Sequence, residues 1–144
     1  MDHQTRVNGI LAKLRKIASD IPGYRAPVSA TEMRALVRNS TVPREFVEET
    51  AVAVEATPRL HDASGFDSDD ARDGEAWADA YDNVANEMEI IARGIRYAVA
   101  LRRANIGRHA LRTLALAKAL NREGVVVPHV ELMQQALRPK RRRG

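Results

Sequence analysis

Trp77, Tyr81, Val84, Met88, Ile91, Ile95 and Ala98 follow one another in alternating steps of four and three residues. A strand returns to the same face every second residue and a helix every third or fourth, so this spacing dictates a helix. Its average of about 3.5 residues per turn does more, because a seam kept at that period runs along the helix axis and calls for a partner helix along its whole length. Past Ala98 the same heptad would place Arg102 and Asn105 on the seam. A fresh apolar set then begins at Ile106, Ala110, Leu114, Ala117 and Leu120. A break is therefore expected at Asn105-Ile106-Gly107. The alternative is one helix from 68 to 123, since no proline lies between Pro58 and Pro128. At ~1.5 Å per residue it would span roughly 80 Å, too long for the remaining helices to cover unless a second subunit shares it.

The rest of the chain is helical in pattern as well. Val7, Ile10, Leu11, Leu14, Ile17 and Ala18 predict a helix over 4–20, ended by Ile21-Pro22-Gly23. Ser29 with Glu32 forms a capping box for a short helix over 30–38. Thr41 and Pro43 open a helix over 42–57 with Phe46, Val47, Ala51 and Val54 on its apolar face, and Pro58 stops it. Residues 58–66 read as a loop, and Asp67 to Asp70 supply N-caps for the long helix. Val125-Val126-Val127 is too short for a sheet, and Pro128 starts a last short helix over 128–137. The expected architecture is all-α: a four-helix bundle of helices 4–20, 42–57, 68–104 and 106–123, with two short extra helices. It forms one domain over 1–137, followed by a disordered basic tail over 138–144.

Charge is sorted along this framework. Residues 1–44 carry eight Lys/Arg against three Asp/Glu, residues 45–89 two against fourteen, and residues 90–144 thirteen against two. The net charge of +4 thus hides an acidic middle and a basic end. Arg93, Arg96, Arg102, Arg103, Arg108, Arg112, Lys118 and Arg122 spread over the second half of the long helical pattern. Arg108, Arg112, Arg138, Lys140, Arg141, Arg142 and Arg143 are the candidate contacts for an anion or a nucleic-acid backbone, which such surfaces bind by counterion release. Against that stands internal neutralisation of one block by the other. The basic block also lacks interleaved aromatics for stacking on single strands.

Catalytic and metal signatures fail on residue type or spacing. The chain has no cysteine, which removes disulfides, thiolate sites and thiol nucleophiles. A calcium loop opening at Asp67 would need an oxygen ligand, a glycine and a glutamate where Ala71, Arg72 and Ala78 stand. No Glu-x-x-His for a di-iron site, Gly-x-Ser-x-Gly or phosphate-binding glycine loop occurs. No cofactor or small-molecule ligand is indicated. No window is apolar enough to serve as a signal peptide or membrane span, so a soluble cytoplasmic protein is expected. The favoured function is protein binding or self-association by a non-catalytic helical scaffold. A nucleic-acid-binding accessory protein is the alternative, and a ligand carrier or enzyme with a site in the bundle core ranks third.

Overall fold

A computed structural model describes residues 2–139, and every element in it is helical. The order is α1 (His3–Asp20), α2 (Ala30–Ser40), α3 (Arg44–Ala56), α4 (Pro58–Ser64), α5 (Ser68–Arg122) and α6 (Val130–Leu137). The all-α class follows from the sequence periodicity. The candidate tail residues Lys140, Arg141, Arg142 and Arg143 lie outside the described residues. The chain divides into two compact units between Glu75 and Ala76.

In the first unit, side-chain caps set the helix starts. The Asp2 carboxylate accepts from the Gln4 amide at 3.0 Å and opens α1. Ser29 Oγ accepts from the Glu32 amide at 3.2 Å and opens α2. Thr41, expected at the start of α3, instead turns its hydroxyl back to donate to the Arg38 carbonyl at 3.1 Å, and Pro43 is the capping residue of α3. The loop expected over 58–66 is in fact the short helix α4. Pro58 sits in its first turn, where a missing N–H costs nothing, and Gly65 ends it in the left-handed region at φ 64°. Asp67 then caps α5, its Oδ1 accepting from the amides of Asp69 and Asp70 at 2.9 and 3.0 Å. These bonds explain the acidic run as helix-end chemistry.

Small residues hold α3 against the start of α5. Ala51 is fully buried and Val54 nearly so. Ser68 Oγ is buried there and donates to the Ala51 carbonyl at 3.1 Å. Across the same contact Arg72 is gripped by two glutamates of α3: it pairs with Glu48 at 2.9 Å and donates to Glu55. Phe46, assigned to the apolar face of α3, is mostly exposed.

In the second unit the expected break at Asn105-Ile106-Gly107 is absent, and α5 continues through it to complete 55 residues. A glycine inside a helix costs only about 1 kcal/mol, less than the hydrogen bonds a break would forfeit, and no proline removes a donor. Asn105 is engaged on the helix surface, accepting from Arg108 at 2.7 Å. Gly124, at φ 86°, turns the chain after α5, and Asn121 Oδ1 accepts from the Val127 amide at 2.9 Å to fix the connection. The final helix starts after His129, two residues later than expected at Pro128, because His129 itself adopts a left-handed φ of 67°. Leu114 and Ala117 are buried, as their place in the second apolar set of α5 requires.

Candidate functional site

Two surfaces of α5 stand out, one apolar and one basic. The apolar one is the seam. Trp77 is 41% exposed, Met88 38%, Ile91 55% and Ile95 57%. These residues were expected inside a bundle, yet none of the four is buried. Trp77 and Tyr81 lie against each other at 4.9 Å between ring centroids and 43° between planes, as residues one turn apart can. The seam up to Ile95 is flanked by Ala78, Ala80, Ala85, Glu87, Ala92 and Gly94, all small but Glu87. Small flanks let a second backbone approach closely. The helix that carries the seam runs unbroken for 55 residues.

The basic surface begins at Arg93. None of Arg93, Arg96, Arg102, Arg103, Arg108, Arg112, Lys118 and Arg122 forms an ion pair among the described residues. Arg108 donates only to the neutral Asn105 side chain. Arg112 stands one turn further on, the same side of the helix as Arg108. Between α5 and α6 lies an open groove of about 370 Å³ lined by Gly107, Leu111, Leu114, Met133, Ala136 and Leu137, and neither Arg108 nor Arg112 lines it. Arg138 follows directly on Leu137, its backbone amide donating to the Gln135 carbonyl at 3.2 Å. Of the sequence-predicted contacts, Arg108 and Arg112 share one side of α5 and Arg138 follows α6, and none of the three lines the groove. That groove was missed, although Met133 and Leu137 at i, i+4 already gave α6 an apolar face.

Within the acidic block itself, Arg72, one of the two bases of residues 45–89, is clasped by Glu48 and Glu55. The hydrogen bond from Arg72 holds the Glu48 carboxyl below the usual glutamate range, and the pair of glutamates pushes the Arg72 guanidinium further up. Its signal in the sequence was a lone arginine at a helix start facing an acidic helix. Among the described residues no cluster of three or more His, Cys, Asp or Glu is placed to hold a metal ion. None of the described helices is long and apolar enough to cross a membrane. No protein-family model, curated protein or solved structure matches this chain, so what the site does has to be argued from its own geometry.

Proposed function

We propose that the protein works by binding another protein helix along the apolar face of α5 from Trp77 to Ala98, as an adaptor or oligomeric scaffold without catalytic activity. One observation carries this reading: a seam with coiled-coil spacing stands exposed on an uninterrupted helix. Apolar residues scattered singly over a surface mean little, but an exposed apolar strip repeating every turn marks an interaction site. The four-helix arrangement expected from the sequence belongs to the assembled form in this reading. The apolar face of α1, where Ile10 is 50% exposed, is a further surface that assembly would cover.

The test is a photo-reactive amino acid at position 91 of the full chain, irradiated in lysate, with position 93 as the control. Protein adducts confined to position 91, whether to the same chain or another, support the reading. Equal labelling at both positions, or no protein adduct, overturns it.

A second reading has its own observation. The eight bases from Arg93 to Lys118 and Arg122 lack acidic partners among the described residues, which leaves their charge available to a phosphate backbone. Arg108, Arg112 and Arg138 would then contact the nucleic acid, with the 140–143 stretch adding charge.

A further inference from the structure

The same face specifies its occupant. We infer that α5 pairs with a second copy of itself, antiparallel, about a two-fold axis between Glu89 and Ile90; this rests on the reading of the seam as a helix-binding surface and names the partner. Charge sets the direction. Residues 75–89 carry five acids and no base, and residues 90–104 carry four bases and no acid. A parallel pair would stack acid on acid and base on base. Reversing one copy about the 89/90 midpoint lays residues 75–89 of each chain beside residues 90–104 of the other, so both halves of the contact attract.

The seam confirms that this midpoint is also a packing register. Antiparallel helices interlock when each residue at one seam position faces one of the other kind, and here the facing residues must have numbers that add to 179. Met88 then faces Ile91 of the second copy, Val84 faces Ile95 and Tyr81 faces Ala98, each layer occurring twice. The bulk is complementary, with the large Tyr81 over the small Ala98. The next layer sets Trp77 against Arg102 of the second copy, where a guanidinium over an indole face is favourable. This accounts for Arg102, the charged residue that the heptad puts on the seam.

Sliding one copy to the neighbouring register, where facing numbers add to 172, would bring Ala98 against Gly74 and Arg102 against Asp70. That stretch of α5 is the part α3 already grips, through Ser68 to Ala51 and Arg72 to Glu48 and Glu55. The 179 register keeps every layer between residues 77 and 102, clear of it. Five of the eight flanking positions, Ala78, Ala80, Ala85, Ala92 and Gly94, are small and permit close approach, while Glu87, Val99 and Leu101 are the larger ones. Most of the charged residues stand outside those flanks. They therefore select direction through their field and are screened progressively by salt.

The absence of cysteine makes a clean test possible. Two full-length variants, Val84→Cys and Ile95→Cys, carry tags of different mass, are mixed under reduction and are then oxidised. Facing residues lie within disulfide reach in the proposed pair. The expected result is a mixed 84–95 disulfide at least tenfold over either homodisulfide, with the wild-type chain sedimenting as a dimer. Homodisulfides in excess would mean parallel pairing, and a statistical mixture would mean random collision. Either one overturns the proposal, as does a monomeric wild type at about 100 µM, a concentration at which even a weak specific pair is populated. A wild-type readout guards against misfolded variants: the emission of Trp77, the sole tryptophan, should shift to the red on dilution. Adducts from position 91 exclusively to a different protein would overturn self-pairing and leave the helix-binding reading standing, whereas no adduct at all would remove both.

Discussion

Truncating Ile91 separates a face that awaits a partner from one covered by its own chain. The substitution Ile91→Ala removes three carbons, worth in full burial about 2.4 kcal/mol at ~0.8 kcal/mol per methylene. In the described chain 55% of Ile91 is exposed, so roughly half of that value belongs to the partner contact, about 1.3 kcal/mol per copy. A symmetric dimer loses it twice, about 2.6 kcal/mol. Since 1.4 kcal/mol is a tenfold change, the dissociation constant should rise about 100-fold. The share left to the isolated chain is about 1 kcal/mol, before any cavity cost. Sedimentation equilibrium measures the first quantity, and denaturant unfolding followed by circular dichroism at high dilution measures the second. A dissociation constant unchanged within about threefold would refute the assignment of this face to the contact. A loss of 2 to 5 kcal/mol at high dilution would refute it differently, since only a side chain packed within its own chain loses that much.

Acidification should loosen the α3–α5 contact. The Glu48 carboxyl is held below its usual range by the Arg72 hydrogen bond, so its contribution is present above the ordinary glutamate value and is lost as pH falls through the lowered folded one. Thermal melts from about pH 6 to about pH 3 should show an acid limb that is flatter in Glu48→Gln. Gly107→Ala should stabilise α5 by about 0.5 to 1 kcal/mol, because the position is interior to a helix and an added Cβ would meet nothing within 4 Å; destabilisation in denaturant titration would restore the break at 105–107. Deleting Arg138 to Gly144 removes five positive charges and should leave stability within about 0.5 kcal/mol. If the basic surface binds nucleic acid, the same deletion should weaken duplex binding in fluorescence anisotropy and flatten its salt dependence.

Local structure was legible where one residue type decides it. Ser29, Asp67 and the spacing of Val7 to Ile17 each predicted an element that the structure contains. Errors arose where two local signals competed. Pro58 could end one helix or begin the next, and Gly65 further along decides for the second. Gly107 and the polar seam positions Arg102 and Asn105 together resembled a boundary, yet neither residue type removes a backbone donor, and the helix runs on. The change of apolar face there marks a change of neighbour. Residues around Leu114 meet α6, while those around Met88 meet no other helix within their own unit. The basic candidates Arg108, Arg112 and Arg138 rest on charge alone. The α5–α6 groove was not legible, since it depends on how α6 returns to α5 after Gly124, which no periodicity encodes.

In the proposed pairing, charge favours a second α5 over the other helices as the partner of the seam. The longest other helix of the chain, α1, has 18 residues against the 55 of α5. It carries Arg6, Lys13, Arg15 and Lys16 against a single acid within its span, Asp20. Such a helix would suit the acidic stretch 75–89 and be repelled by the basic stretch 90–104, so it could satisfy half of the seam at most. A second α5 matches both stretches at once, because its own charge reverses at the same point as its seam. The charge sorting that is so unusual in this chain is then what a long self-pairing helix requires: two oppositely charged halves favour the antiparallel pair and disfavour the parallel one by the same interactions.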